Sequence, residues 1–314
     1  MRTCSVVVPV YNSEETLPPL LERLAAALPA FSSAYEVILV NDASRDNSWA
    51  VIEALARQRP QVRGIHLMRN YGQHNALLCG IRAARYELII TLDDDLQHPP
   101  EALAALVAKL DEGPYDVVYG TPLREQHGFW RDIASQVTKL ALQSAMGAET
   151  ARKVSALRVF RAQVRDAFAS YSAPFVSIDV LLTWGTTRFA AVPVEHAPRA
   201  AGRSNYTFRK LVTHALNMMT GFSVVPLQLA SLLGFGLALF SVVVLVYVVG
   251  RYLLEGTPVP GFPFLASIIG IFSGAQLLAL GVIGEYLARM HFRVMDKPSY
   301  VVRETTPSAD DLNP

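Results

Sequence analysis

Cysteine is scarce in this sequence of 314 residues, which contains only Cys4 and Cys79. Two cysteines so far apart provide neither a disulfide framework nor the ligand spacing of a metal site. Both lie in apolar surroundings, so we expect them to be small core residues. The low count is typical of a protein from a reducing compartment.

The sequence also lacks an excess of charge of either sign. Its 28 Lys and Arg residues are balanced by 27 Asp and Glu residues, which leaves a formal net charge of +1. Domains that bind nucleic acid usually carry a basic surface, so we expect no nucleic-acid partner. The mean hydropathy of +0.26 is high for a soluble protein and indicates a membrane segment.

Two long runs, residues 224–250 and 262–284, contain no charged residue. At about 1.5 Å per helical residue, each is long enough to cross a hydrocarbon core about 30 Å thick. The connection between them is rich in proline and glycine. The pattern predicts a hairpin of two transmembrane helices, and the alternative is a buried helical hairpin in a soluble core.

The charges that flank the apolar runs predict how the chain is oriented in the membrane. Lys and Arg residues gather before the first run and after the second, whereas the connection has only Arg251 and Glu255. By the positive-inside rule, both outer flanks are cytoplasmic. We therefore expect a multi-pass protein of the inner (cytoplasmic) membrane. Its predicted parts are a cytoplasmic N-terminal domain (1–206), an amphipathic interfacial helix (207–223), two transmembrane helices (224–284) and a cytoplasmic tail (285–314), disordered from residue 304. The alternative for 207–223 is a packed surface helix.

Short β-rich runs alternate with helical periods over the first 120 residues. The runs are SVVVPV (5–10), YEVILV (35–40), VRGIHL (62–67), ELIITL (87–92) and YDVVYG (115–120). Asn12 is predicted to cap the first helix, in which leucines follow at helical spacing. This alternation predicts a mostly parallel sheet covered on both faces. Ligands of such sheets bind at the carboxyl ends of the strands.

Three aspartates, Asp93 to Asp95, follow the fourth run directly. Adjacent like charges repel, but a divalent cation such as Mg²⁺ or Mn²⁺ would bring them together, because it prefers hard oxygen ligands. In an extended segment, Asp93, Asp95 and Gln97 would share one side, and Asp94 would point the other way. The alternatives are a solvated acidic turn and a helix cap.

Four motifs occur in order at strand ends: SVVVPVYNSEETL, VNDASRDNSW, RNYGQHNAL and LDDDLQHPPE. Together they resemble family 2 glycosyltransferases, which have the GT-A fold. The resemblance implies an α/β catalytic domain with a Rossmann-like mixed sheet, followed here by the two-helix hairpin. It implies that Asp93, Asp95 and Gln97 bind the metal. The residues that it implies for the nucleotide site are Pro9, Tyr11, Glu15, Asp42, Arg69 and Asp93.

The sequences RNYGQH, LDDDLQHPPE and RAAGRSNY, with the C-terminal hairpin, are similar to the polyprenyl-phosphate glycosyltransferases. Within that group they resemble the undecaprenyl-phosphate aminoarabinose transferases and the bactoprenol glucosyltransferases. The implied reaction transfers a sugar from a nucleotide sugar, with UDP as the expected carrier, to undecaprenyl phosphate at the membrane. Relatives form tetramers, so a homo-tetramer is implied.

The lipid phosphate needs cations to hold it beside the donor diphosphate, and arginine binds phosphate with two parallel hydrogen bonds. The candidates for the acceptor site are Arg124, Arg131, Arg158, Arg199 and Ser204. The resemblance favours Arg131 and Arg199, which we also place among the catalytic residues with Asp93 and Asp95.

The sequence departs from the family pattern at two positions. Asn205 stands where relatives often have lysine, and Ala156 stands where some have an aspartate that is proposed as a base. A phosphate acceptor is already largely ionised at neutral pH, so it has little need of a base.

Two other functions remain open. One is a processive polysaccharide synthase, although the Arg-Trp dipeptide of those enzymes is absent and two spans are few for a polymer channel. The other is a non-catalytic, membrane-anchored protein that binds nucleotide sugars.

Overall fold

The computed structural model describes residues 1–123, 154–195, 224–255 and 261–307. An eight-stranded sheet is covered by helices, and two long helices leave it and return to it. The strands are β1 Arg2–Val10, β2 Ser32–Asn41, β3 Val62–Leu67, β4 Leu88–Thr91, β5 Val117–Pro122, β6 Arg158–Arg161, β7 Phe189–Val194 and β8 Val302–Thr305. The helices are α1 Leu17–Ala27, α2 Ser48–Gln58, α3 Gln73–Ala83, α4 Leu103–Glu112, α5 Ile178–Gly185, α6 Val225–Glu255 and α7 Phe262–Val294.

The strand order in the sheet is β7-β5-β6-β4-β1-β2-β3-β8. β1 runs parallel to both β2 and β4, and β2 runs parallel to β3. β6 is antiparallel to its two neighbours, and β8 is antiparallel to β3. The carboxyl ends of β1 to β4 therefore meet at one edge, as the alternating pattern predicts. The predicted α/β mixed-sheet fold class and all five predicted strands are confirmed.

Alternate residues of the central strand β1 pack into different hydrophobic layers. Val6, Val8 and Val10 face a layer with α1, α2 and α4, whereas Val7 faces a layer with α3 and α5. This is the period-two geometry of a strand buried on both faces. The apolar stripe of α1 packs entirely into the core, because the leucines predicted at helical spacing are all buried. The sheet is thus a rigid platform for the loops at its edge.

The first helix starts later than the sequence suggests. α1 begins at Leu17, with Thr16 at its N-cap position, and Asn12 has a positive φ of 56°. The prediction that Asn12 caps this helix is wrong. A left-handed backbone cannot begin a right-handed helix, and residues 11–16 instead form a loop that contacts neighbouring loops.

The two long helices that follow β7 in the chain are apolar and exposed. Segments Val225–Leu254 and Ile268–Val294 are long and apolar enough to cross a membrane, and in neither is the most apolar window buried inside the protein. A core hairpin of a soluble domain would be covered, so the structure does not match that alternative. α7 extends past residue 284, the end predicted for the second span. Residues 207–223, predicted as an interfacial helix, lie outside the described residues.

The chain beyond α7 returns to the sheet. β8 pairs with β3, and the Gly64 amide donates a hydrogen bond of 2.8 Å to the Thr306 hydroxyl. The Thr306 amide donates in turn to the Gly64 carbonyl at 3.0 Å. The prediction of disorder from residue 304 is therefore wrong for residues 304–306. The polar composition of this part of the tail gave no sign of the strand, because an edge strand with exposed side chains needs no apolar pattern.

Candidate functional site

The loops after β1, β2, β3 and β4 each contain a residue with positive φ. These residues are Asn12 (56°), Ala43 (52°), Gly72 (96°) and Leu96 (61°). For residues other than glycine this conformation costs roughly 1 kcal/mol or more, so it persists only where surrounding contacts hold it. Such strain often marks functional sites, and here it marks the loops after β1, β2 and β4 at one edge of the sheet, whereas Gly72 after β3 adopts its positive φ without that cost.

Hydrogen bonds join the loop after β1 to the loop after β2. The amide of Asn12 donates to the Ser44 hydroxyl at 3.0 Å, and the amide of Arg45 donates to the Asn12 side-chain oxygen at 2.8 Å. Further along, the Asn47 amide donates to the Glu14 carboxylate at 2.9 Å. We call the space between the loops after β1, β2, β3 and β4 the crevice, and the first two of these loops form one rim of it.

The Asp42 carboxylate connects the end of β2 to the loop after β3. One oxygen accepts from the Tyr71 amide at 2.7 Å and the other accepts from the Gly72 amide at 2.8 Å. Asp42 is only 3% exposed. Burial raises the pKa of its carboxyl group, and the two amide hydrogen bonds partly oppose that rise. Asp42 therefore holds the loop after β3 against the end of β2.

The acidic triplet lies in a turn rather than in an extended segment. β4 ends at Thr91, and the Gln97 amide donates to the Asp95 carboxylate at 3.2 Å around Leu96. The expected alternation of Asp93, Asp95 and Gln97 along one side of an extended chain is therefore wrong. A turn with a positive φ lacks the period of two on which that expectation rested.

Two of the three aspartates contact loops at the same edge. Gln73, the first residue of α3, donates to Asp93 at 2.6 Å. Asp94 accepts hydrogen bonds from the Ser13 hydroxyl and from the Tyr11 amide, the latter at 3.2 Å. Asp94 thus faces the loop after β1, within the crevice. The contacts of Asp42, Asp93 and Asp94 link all four loops.

The Asp94 carboxyl group is held in low-dielectric surroundings. Burial raises its pKa, hydrogen bonds from Ser13 and Tyr11 lower it, and the neighbouring charge of Asp95 raises it further. Asp93 and Asp95 are partly exposed, as Asp94 is.

Asp93, Asp95 and Gln97 offer carboxylate and amide oxygens, which suit Mg²⁺ or Mn²⁺. No group of three or more His, Cys, Asp or Glu side chains is close enough to hold a metal unaided within the described ranges. Mg²⁺ usually keeps several ligand positions for water and substrate phosphates. The donor set therefore fits a metal whose coordination a diphosphate completes.

Comparison with known proteins identifies the family of this chain. The sequence profile of glycosyl transferase family 2 matches residues 5–168. The chain is 37% identical over 303 residues to the undecaprenyl-phosphate 4-deoxy-4-formamido-L-arabinose transferase of Shewanella sediminis, covering 96% of this chain and 91% of that protein. The chain belongs to glycosyl transferase family 2.

Solved structures agree on the fold of this glycosyltransferase. One is the glucosyl-3-phosphoglycerate synthase of Mycobacterium tuberculosis in complex with Mn²⁺, UDP-glucose and phosphoglyceric acid. It is 19% identical, has a TM-score of 0.52, and the match covers 70% of this chain and 78% of that one. Another is a mycobacterial protein with a TM-score of 0.53 at 19% identity, covering 70% and 73% of the two chains. A divalent metal is typical of the GT-A family.

The predicted nucleotide-binding residues lie around the same edge of the sheet in this glycosyltransferase. Pro9 is buried in β1 beside Val40 of β2, and Tyr11, 37% exposed, follows that strand. Arg69 is exposed after β3, with its guanidinium carbon 4.5 Å from the centre of the Tyr71 ring. Glu15 is exposed just before α1, and it is Glu14 that joins the two rim loops.

Arg158 does not fit the acceptor site predicted for it. It lies in β6, is 2% exposed, and forms a buried ion pair with Asp179 of α5. The Tyr119 hydroxyl donates to the same Asp179 carboxylate at 3.1 Å. A guanidinium that is enclosed and already paired is not available to a lipid phosphate, so we correct this assignment to a structural role. Arg124, Arg131, Arg199 and Ser204 lie outside the described residues.

Sequence reasoning missed the residues that join the loops to each other. Gln73, Asp94, Ser13 and Glu14 all stand inside or beside the quoted motifs. Their polar character at strand ends was the available signal. Their partners were not predictable, because contacts between loops follow no periodic pattern.

Proposed function

We propose that this family 2 glycosyltransferase moves a sugar from a nucleoside diphosphate sugar to undecaprenyl phosphate at the cytoplasmic face of the inner membrane. One observation carries the proposal: a glycosyltransferase sheet and an exposed apolar hairpin belong to one chain, which returns after the hairpin to the edge of that sheet. An enzyme that is anchored in the membrane by such a hairpin is suited to an acceptor that is linked to a lipid. The similarity to a transferase that is named for undecaprenyl phosphate supports this acceptor.

In the proposed reaction, an oxygen of the lipid phosphate attacks the anomeric carbon, and the bond to the nucleoside diphosphate breaks. The acceptor is largely ionised at neutral pH because its second pKa is near 6. The chain therefore has little need of a general base, which agrees with alanine at position 156. Its main tasks are to position two anionic substrates and to stabilise the charge on the leaving group.

Asp93, Asp95 and Gln97 would hold Mg²⁺ or Mn²⁺ beside the donor diphosphate. The bound metal would neutralise the negative charge that grows on the departing diphosphate. Asp42 and Tyr11 would line the pocket for the base and ribose, with Pro9, Glu15 and Arg69 nearby. We keep UDP as the expected carrier.

The acceptor site is proposed to consist of Arg124, Arg131, Arg199 and Ser204. Arginine is suited to this task because its planar group donates two parallel hydrogen bonds to phosphate. Arg158 is no longer included, since it is paired with Asp179 in the core. We also propose a multi-pass homo-tetramer with its catalytic domain in the cytoplasm.

The proposal is tested with purified protein, Mg²⁺ and a panel of radiolabelled nucleotide sugars, with and without undecaprenyl phosphate in liposomes. We expect label in the lipid fraction for one donor and only when the acceptor is present. Growth of a water-soluble polymer would indicate a processive synthase, and donor binding without transfer would indicate a binding protein. Either result would refute the proposal.

The metal assignment has a separate test in Asp95→Asn. We expect transfer to fall by about a hundredfold or more, because charge stabilisation at the leaving group is usually a large catalytic contribution. Asp166→Asn, an exposed carboxylate on the turn after β6, is the matched control and should keep wild-type activity. Near-normal turnover of Asp95→Asn with Mg²⁺ present would remove Asp95 from the metal site.

A further inference from the structure

The segment of residues 171–177, which precedes α5, contacts both the membrane hairpin and the catalytic crevice. We call it the bridging segment. It has no regular secondary structure, and most of its residues are half-buried. Different residues of the segment contact the hairpin and the crevice, and the inference below rests on these contacts.

On the membrane side, the end of α7 packs on Phe175. The Arg289 guanidinium carbon lies 4.5 Å from the centre of the Phe175 ring, which is cation–π geometry. The Arg289 side chain is 13% exposed and is also paired with Glu285 one turn earlier, at 2.7 Å. The buried Ser299, which follows α7, donates to the Ala173 carbonyl at 2.7 Å. Two contacts thus fix the end of the hairpin to the bridging segment.

On the crevice side, the first turn of α3 contacts the same segment. The Asn75 side chain donates to the Pro174 carbonyl at 3.4 Å and to the Tyr71 carbonyl at 2.6 Å. The His74 ring accepts from the amide of Ile178, the first residue of α5, at 3.3 Å. This turn of α3 begins with Gln73, the residue that donates to Asp93 at 2.6 Å.

The bridging segment is held within itself as well. The Tyr171 hydroxyl donates to the Phe175 carbonyl at 2.6 Å, and Arg82 of α3 donates to the Tyr171 carbonyl at 2.5 Å. The Tyr171 ring also meets Trp184 of α5 edge to face, with ring centres 5.6 Å apart. A short segment with this many fixed points is a stiff spacer rather than a free loop.

We propose that Arg289 and Phe175 are positioning residues, which set the acidic triplet at a fixed place relative to the membrane surface through the bridging segment. This rests on the proposed function. A polyprenyl phosphate keeps its head group at the interface, so the crevice must stand at the right height and angle above it. A misplacement of about 1 Å at a reacting centre is enough to cost about a hundredfold in rate.

The test uses two acceptors with the full-length protein in liposomes. One is undecaprenyl phosphate in the bilayer, and the other is a short, water-dispersible prenyl phosphate that reaches the crevice from solution. Arg289→Ala and Phe175→Ala remove the contact from either side. Phe175→Tyr retains the ring, and Arg251→Ala removes an arginine near the opposite end of the hairpin.

We expect both alanine variants to raise the KM for the bilayer acceptor by about tenfold, the size of a well-buried cation–π contact. The KM for the donor and the kinetics with the short acceptor should stay within about twofold of wild type. Phe175→Tyr and Arg251→Ala should behave like wild type with both acceptors.

Equal losses with both acceptors would mean that the contact merely supports the fold, and this would overturn the inference. Unchanged kinetics of both alanine variants with the bilayer acceptor would overturn it as well. If the wild-type protein transfers sugar to neither acceptor, then the proposed function itself fails, which is a distinct result.

Discussion

Buried and half-buried carboxylates in this glycosyltransferase are held by donors from neighbouring elements. Asp42 accepts hydrogen bonds from two backbone amides, and Asp94 accepts them from an amide and a hydroxyl. Asp179 accepts a hydrogen bond from the Tyr119 hydroxyl and forms an ion pair with Arg158. A buried carboxylate is tolerated only when its oxygens are satisfied in this way. Asp42 and Asp94 lie at the catalytic edge, whereas Asp179 forms part of the core under the sheet.

Arg158→Met should strongly destabilise the protein. Removing one partner of a buried ion pair leaves an uncompensated charge, which costs about 3–5 kcal/mol. The change would leave the Asp179 carboxylate with only the Tyr119 hydroxyl among the partners described above. Thermal unfolding of the detergent-purified protein measures the effect, and we expect a clearly lower Tm.

The combined variant Arg158→Met, Asp179→Leu and Tyr119→Phe is the matched comparison. It removes the charges and the hydroxyl together, and apolar replacements of a buried pair are often neutral or stabilising. Its Tm should therefore lie closer to wild type than that of Arg158→Met alone. A single variant as stable as wild type would argue that Arg158 is not paired in the core.

The sequence identified Arg158 as a candidate residue but did not show that it lies in the core. An arginine among other arginines, in a stretch without clear periodicity, gave no sign of burial. Its partner Asp179 is 21 residues away, and no rule of spacing links the two. Asp93 and Asp95 were predictable because they follow a strongly apolar strand, where the chain must reach the edge of the sheet.

Among the elements, β8 is the least expected from sequence, and a buried side chain next to it adds to its backbone pairing with β3. Thr306 is 9% exposed and its hydroxyl accepts from the amide of Gly64 in β3. Thr306→Val keeps the shape but leaves that amide unsatisfied, at a cost of about 1–3 kcal/mol. We expect a lower Tm, and also faster hydrogen exchange at Gly64.

Thr305→Val is the control at the neighbouring position, where the side chain is exposed. A β-branched residue suits a strand, so this change should leave the Tm within about 1 °C of wild type, since surface substitutions rarely exceed about 0.5 kcal/mol. If both valine variants behaved alike, the Thr306 hydrogen bond would not be what fixes β8.

The predictability of the other elements follows from burial. β1 to β5 were predicted because each is an apolar run between turn residues, and β3 agrees to the residue. β6 was missed because it has four residues and contains two arginines, and β7 because its residues alternate only weakly. Helix starts were less predictable than helix interiors, as Asn12 illustrates, since loop contacts decide where the first turn begins.

On the scale of the whole molecule, the position of β8 constrains how the chain can cross a membrane. β1 precedes the hairpin and β8 follows it, yet both belong to one sheet. A sheet lies on one side of a bilayer, so the chain between these strands must cross an even number of times. Two candidate spans, in α6 and α7, satisfy this requirement within the described part of the chain.

Cysteine labelling in intact bacteria tests this topology. Gly261→Cys marks the connection side of the hairpin at the start of α7, and Thr305→Cys marks the sheet side; both positions are exposed. The positive flanks predict that the sheet lies in the cytoplasm. A membrane-impermeant maleimide added outside should therefore label Gly261→Cys and spare Thr305→Cys until the cells are opened.

The two native cysteines should not contribute to the labelling signal. Cys4 and Cys79 are buried, and burial raises their thiol pKa to about 11 and about 12, so neither is a reactive thiolate at neutral pH. The unmodified protein should thus remain unlabelled before and after lysis, which leaves each introduced cysteine as the only signal. Labelling of Thr305→Cys in intact cells would place the catalytic sheet outside, away from cytoplasmic nucleotide sugars. Equal accessibility of the two sites in intact cells would mean that the hairpin does not span the membrane.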